Sequence, residues 1–223
     1  MTSEAAANGT EDAGKSGQNL SGFAYAALSR MIRGHRLRGG DVILEARLAA
    51  ELSISRTPMR EALQRLEGEG LVIKNASRSY MVRTVDLAEY LQSLKVREIM
   101  EPEIAALAIG QIEPAAFAPV RAEIAALNGS TSYVRQAHWD SDARLHNLFI
   151  DACGNQVMIQ IMRALRATTH LFEIDRLKDR LIPDNTEHMA ILDALEAGDA
   201  KAVRKAVQSH IRSLQRFTLS VVG

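Results

Sequence analysis

A mostly α-helical chain in two parts is predicted: a small N-terminal winged helix-turn-helix over residues 20–84 and an all-α bundle of six or seven helices over residues 86–221. Three observations predict it. The first segment runs helical apolar spacing, a short turn, a second helical stretch and then two β-prone triplets. After Asp86 the apolar residues keep a helical period, with no further convincing strand signal. The charge is also uneven, because residues 21–83 carry 11 Lys/Arg against 6 Asp/Glu, a balance of +5, while the whole 223-residue chain is neutral. A chain of this length with 47% apolar residues has material for two cores.

Residues 1–19, mostly Ala, Gly, Ser, Thr and acids, hold too little apolar surface to repay ordering and are expected to be a disordered tail. From Leu20, the residues Ala24, Ala27, Leu28, Met31 and Ile32 recur at helical spacing, and Gly34 with Gly39 and Gly40 closes the first helix. A second short helix fits Glu45–Leu52, followed by a turn at Ser53–Ser55. Pro58 suits the first turn of the third helix, whose free amides Ser55 or Thr57 can cap. Gly68 and Gly70 end that helix. The triplets Leu71–Ile73 and Tyr80–Val82, joined by a turn from Asn75 to Ser79, read as a hairpin.

In the second part, helices are expected at Asp86–Gln111, bent by Pro102, and at Pro114–Leu127. Four more are expected at Trp139–Ala152, Asn155–Leu177, Asp184–Ala197 and Asp199–Val221, with a loop from Asn128 to Ser132. No apolar run approaches the roughly 20 residues that span a bilayer, and the first stretch has no signal-peptide core. A single Cys153 cannot form an internal disulfide. Both features lead us to expect a cytoplasmic protein that does not engage membranes.

On the third helix, Met59, Ala62, Leu63 and Leu66 share one face at i, i+3, i+4 and i+7, which turns Arg56, Arg60 and Gln64 outward. Two arginines one turn apart at a helix start can fork onto guanine edges or clamp phosphates, with Thr57 and the first amides adding a backbone contact. On an arbitrary helix the same residues would be a solvated stripe; the preceding turn and following hairpin favour a role in DNA binding. In the bundle, Asp142 and His146 lie four apart, on one helical face where both can reach one metal ion. His188 and His210 fall at similar heights on a hairpin of helices joined near Gly198. Spacing alone does not say whether these faces meet.

The run Leu48-Ala-Ala-Glu-Leu-Ser-Ile-Ser-Arg-Thr-Pro-Met-Arg-Glu-Ala-Leu63, followed by Leu66-Glu67 and Gly70-Leu71-Val72, resembles the signature of the GntR superfamily of transcription regulators. The resemblance implies that Arg56, Thr57 and Arg60 touch double-stranded DNA and that the wing, with Arg78, enters the minor groove. Arg47 is a further phosphate candidate, one residue from the basic position of some relatives, which here is Ala46. Ser79 stands where the family's wing commonly has glycine, and Gly39 where proline usually precedes the Gly-Asp pair.

The stretches Val96–Pro102, Asp142–Asn155, Glu187–Leu192 and Ser209–Ile211 are similar to the FCD effector domain of the FadR-type branch. In its metal-binding members the positions matching Asp142, His146, His188 and His210 hold a divalent ion. Imidazole and carboxylate suit zinc, with nickel or manganese as alternatives. The resemblance also implies a pocket role for Arg97, which can hold a carboxylate, although Glu101 one turn away offers it an ordinary ion pair. Arg166 is a second pocket candidate. The expected protein is a homodimeric repressor on a palindromic operator, controlled by a small organic acid. Two alternatives stand beside it. One is the same dimer with a structural metal and no effector. The other is a metal-dependent hydrolase with Glu187 as base, disfavoured because Glu187 adjoins a ligand and so points to a different helix face.

Overall fold

The computed structural model describes residues 7–130, 132–172 and 177–222, with side chains from Asn19 onward. The chain divides into two compact units, residues 1–84 and 85–223. Among the described residues, nine α-helices, two 3-10 turns and one two-stranded sheet make up the fold.

In the first unit, α1 spans Ala7–Arg33, α2 Glu45–Glu51 and α3 Arg56–Gly68, and strands β1 (Val72–Lys74) and β2 (Tyr80–Val82) pair antiparallel. Residues 7–19, expected as an unordered tail, instead continue α1, and residues 1–6 lie outside the described residues. Nucleation is the costly step of helix formation, so a Pro-free segment can extend a helix already anchored at Ala24, Leu28 and Ile32, although Gly9, Gly14 and Gly17 each cost about 1 kcal/mol relative to alanine. β1 begins one residue later than expected. Leu71 is spent on the turn after α3, where its N–H donates to Leu66 O at 2.9 Å.

The core of this unit is the inner face of α3, with Met59, Ala62, Leu63 and Leu66 at 0–1% exposure, packed against α1. Ser53 takes a left-handed conformation (φ 55°) in the turn between α2 and α3. Ser55 is the N-cap residue of α3 by backbone, but its side chain makes no cap bond.

The second unit contains α4 (Leu87–Leu107), α5 (Phe117–Asn128), α6 (Arg135–Ala152), α7 (Gln156–Leu171), α8 (Leu181–Glu196) and α9 (Ala200–Val222). α4 continues through Pro102. The helix expected to reach Leu177, α7, ends at Leu171; residues 173–176 lie outside the described residues, and a 3-10 turn follows at Leu177–Arg180. Side-chain caps mark two starts: Asp86 accepts from Glu89 N, and Asn155 from Val157 N and Met158 N. α4 packs against α9 and α7, α8 against α9, and α5 against α8. One core forms around Ile104, Ile124, Phe149, Met162, Ile191 and Val207, and a second around Tyr90, Leu94, Trp139, Leu177, Ile211 and Leu214. The polar cluster described next sits among α4, α6, α8 and α9. No helix among the described residues is long and apolar enough to cross a membrane.

Candidate functional site

The buried face of α3 leaves Arg56, Thr57, Arg60 and Gln64 exposed on the other side. Arg60 is braced from α2: its Nε donates to Glu45 Oε2 at 2.9 Å while the side chain remains 63% exposed. Arg47 on α2 and Arg78 in the hairpin turn are exposed as well, and neither they nor Arg56 has a side-chain partner among the described residues. The turn has an organiser that the sequence reading missed. Asn75 Oδ1 accepts from Ser77 N at 3.0 Å and Ser79 N at 2.9 Å, and Arg78 takes the left-handed conformation (φ 60°). Ser79 is therefore not asked for the positive φ that would favour glycine at its position.

In the second unit, Asp142 and His146 come from α6, His188 from α8 and His210 from α9. One potential ligand atom from each lies within 4.8 Å of all the others. The three imidazoles are buried to 0–1% exposure, and His146 Nε2, His210 Nε2 and both nitrogens of His188 have no hydrogen-bond partner. A buried unsatisfied polar atom costs about 1–3 kcal/mol, so several converging on one point call for a shared partner. The outer nitrogens are held: His146 Nδ1 lies 2.5 Å from Glu101 Oε1, and His210 Nδ1 lies 2.9 Å from Glu187 Oε2. Each carboxylate accepts the Nδ1 proton, which leaves the Nε2 lone pair facing the cluster. Asp142 is oriented too. Its Oδ2 accepts from Arg166 Nη2 at 2.6 Å, and its Oδ1 lies 3.5 Å from His146 Nε2 and 3.7 Å from His188 Nε2.

Burial, with Arg166 beside it, pushes the His146 pKa down to about 4. Burial and the neighbouring His210 hold His188 well below the ordinary value. Burial alone would raise the Asp142 carboxyl, but Arg166 and His146 hold it well below the usual carboxylate range. Neutral imidazoles and an ionised carboxylate are the forms that bind a divalent cation. The residues therefore fit a metal ion: borderline nitrogens, one carboxylate oxygen, and no competing hydrogen bonds on the inward nitrogens. A second grouping, Asp184, Glu187 and His210, already has its carboxylates engaged, since Arg180 donates to Asp184 Oδ1 at 2.7 Å and also to Glu187 Oε2, and His138 Nε2 lies 3.1 Å from Asp184 Oδ2.

Protein stripped by a chelator is expected to lose stability as the pH falls from about 6.5 to about 4. Above that window His146 is neutral in folded and unfolded chains alike; within it only the unfolded chain takes up the proton, which favours unfolding. His188 acts in the same direction. Urea midpoints at pH 7, 6 and 5 check this, and a midpoint that rose on acidification would contradict it.

Arg97 is fully buried. Its Nε donates to Glu101 Oε2 at 2.9 Å and its Nη1 to Thr169 Oγ1 at 2.9 Å. The ordinary i, i+4 ion pair therefore exists, yet Arg97 also lines a small cavity that it shares with His138, Trp139, Asp142, Asp184, His210 and Leu214. The cavity has room for little more than a water. Arg166 is committed to Asp142, with Glu101 at 3.7 Å. Glu101, legible in the sequence only as Arg97's partner, is a hub for Arg97, His146 and Arg166. Two other histidines adjoin the site: His170 Nε2 is 3.6 Å from Asp142 Oδ2, and His138 Nε2 is 3.1 Å from Asp184 Oδ2. Neither carries a sequence signal beyond its residue type.

Residues 20–82 match the model of bacterial regulatory proteins of the gntR family, and residues 92–213 match the FCD domain. The chain belongs to the GntR family. It is 27% identical over 202 residues to an uncharacterized HTH-type transcriptional regulator in an unstable DNA locus of Streptomyces ambofaciens, covering 85% of this chain and 81% of that one. It is 25% identical over 179 residues to the Nta operon transcriptional regulator of Aminobacter aminovorans, covering 79% and 85%. Its fold is similar to that of McbR/YncC from E. coli, with a TM-score of 0.71 at 18% identity, over 92% of this chain and 99% of that chain. GntR-family proteins are transcriptional regulators that bind DNA, so the chain is a regulator and not an enzyme, and the hydrolase alternative is set aside.

Proposed function

We propose that this GntR regulator is a homodimeric repressor whose operator affinity is set by a small carboxylate bound next to a metal ion. The observation that carries the reading is the cluster of Asp142, His146, His188 and His210, whose unpartnered inward nitrogens adjoin a cavity lined by Arg97. Zinc is the ion we assign, with nickel and manganese as the competing first-row ions. When bound, the ion supplies positive charge and a coordination position for an anionic ligand. Glu101 and Asp142 balance Arg97 and Arg166 one for one while Asp184 and Glu187 share Arg180, so a divalent ion leaves a net positive charge that an anionic ligand can offset. Arg97 keeps guanidinium N–H donors beyond those engaged by Glu101 and Thr169, and these can meet a carboxylate.

In the first unit, Arg56, Thr57, Arg60 and Gln64 face outward on the helix that a helix-turn-helix lays in the major groove, while Arg47 and Arg78 reach phosphates or the minor groove. Two such heads on a palindrome double the buried surface, as tight specific binding requires. Effector and DNA then oppose or assist each other by equal factors. The test is fluorescence anisotropy on duplexes selected from a random pool by the zinc-loaded protein. We expect palindromic duplexes to bind two chains each, and malonate at millimolar concentration to shift the affinity by about fivefold or more. Affinity unmoved by malonate, propionate and other small carboxylates would leave the ion structural and remove the effector.

A further inference from the structure

Two of the three imidazoles in the cluster are held from outside by a carboxylate, and each carboxylate is met in turn by an arginine. Arg97 and Glu101, one turn apart on α4, do this for His146. On the other side, Glu187 Oε2 accepts from His210 Nδ1 at 2.9 Å and from Arg180 Nη2. The two carboxylates differ in their surroundings. The Glu101 side chain is fully buried, whereas that of Glu187 is 24% exposed and has water as a competing partner. Such a carboxylate gains little from an ion pair and keeps its rotamer freedom unless the partner is itself fixed. Arg180 is fixed. It is 3% exposed, its Nε donates to Asp184 Oδ1 at 2.7 Å, and its Nη1 donates to Ser213 Oγ at 2.7 Å. The planar fork thereby ties α8 to α9, the two helices that carry His188 and His210.

We propose that Arg180 is a positioning residue for the metal: by holding Glu187 in one rotamer it fixes the ring and tautomer of His210, whose Nε2 then faces the ion. This rests on the metal reading above. Charge alone argues the opposite sign. Removing a cation from beside a divalent ion should tighten metal binding by Coulomb's law. Removing the outer support of a ligating histidine loosens it, typically by about 10–100-fold. The direction of the change therefore separates the two effects.

The probe is zinc, titrated into chelator-stripped full-length protein against a competing indicator, with cobalt as a second probe whose visible absorption reports its ligands. Arg180→Gln should weaken zinc binding about tenfold or more and change the cobalt spectrum. Ser213→Ala removes one anchor of Arg180 but leaves Glu187 engaged, and should bind zinc within about twofold of the wild type. Glu187→Asp keeps the charge, and leaves Arg180 its bonds to Asp184 and Ser213, but draws the carboxylate back by one methylene. It should weaken zinc binding as Arg180→Gln does, and it decides the matter if Arg180→Gln folds poorly. In the Glu187→Asp background, Arg180→Gln should add no more than about twofold, because both act through one contact. Zinc held as tightly as by the wild type, or more tightly, in Arg180→Gln or in Glu187→Asp overturns the role of Arg180 and leaves the metal reading intact. Additive losses in the double variant overturn it as well. So does a Ser213→Ala protein as impaired as Arg180→Gln, which would trace the loss to loosening of α8 from α9. A wild type that binds neither zinc nor cobalt overturns the metal reading and this one together.

Discussion

Replacing Asp142 and His188 together by alanine is expected to take the purified protein from about one first-row metal ion per chain to none after dialysis without chelator. The pair removes the only carboxylate of the cluster and the imidazole whose two nitrogens are both unpartnered. What remains, His146 and His210, is too few ligands to hold a divalent ion against dialysis. A ligand present at about 1,000 times its dissociation constant stabilises the folded state by about 4 kcal/mol. A chelator should therefore lower the melting temperature of the wild type and leave that of the double variant unmoved. Because Asp142→Ala also deprives buried Arg166 of its 2.6 Å partner, the single variant His188→Ala, which breaks no hydrogen bond, separates loss of metal from loss of that pair. A double variant with full metal content would remove these residues from the ligand set. Absence of metal from the wild type, with a melting temperature indifferent to chelator, would return the FCD domain to a metal-free role.

Arg60→Ala is expected to cost about 1–3 kcal/mol of operator binding and to flatten discrimination at the base it reads. The fold should hardly notice. Met59, Ala62, Leu63 and Leu66 keep α3 in place, and the exposed Arg60–Glu45 pair contributes about 0–1 kcal/mol. Glu45 instead limits where the guanidinium swings, which lowers the ordering cost when DNA arrives. Anisotropy titrations of wild type and variant on one selected duplex and its single-base variants read both effects. Equal affinity and equal ranking of duplexes would show that Arg60 reads no base. Arg47→Ala provides the contrast: removing a cation that meets only phosphate should weaken all duplexes alike and reduce the salt dependence by about one ion.

Much of this was legible in sequence because it is local. The 3.6 period alone assigned Met59, Ala62, Leu63 and Leu66 to the core and Arg56, Arg60 and Gln64 to solvent, and the structure has them there. An i, i+4 spacing likewise sets Asp142 and His146 on one face of α6. The ends of elements were less legible. Whether α1 stops at Leu20 or runs back to Ala7, and whether the first strand takes Leu71, turns on fractions of a kcal/mol per residue that local patterns do not resolve.

Element order and inward faces follow from the chain read in one dimension, because periodicity and turn chemistry act between near neighbours, whereas the grouping of Asp142, His146, His188 and His210 as one candidate ligand set comes from the resemblance to the FCD domain. That His188 and His210, 22 positions apart, turn toward Asp142 and His146 follows from nothing short of the packed bundle. The same is true of Glu101 and Glu187 on their outer nitrogens, of Arg166 on one oxygen of Asp142, and of Arg180 on Glu187. Rotating a helix about its axis leaves its own spacing unchanged, so which faces meet is set by the packing of α4, α6, α8 and α9 around one another and by nothing within any one of them.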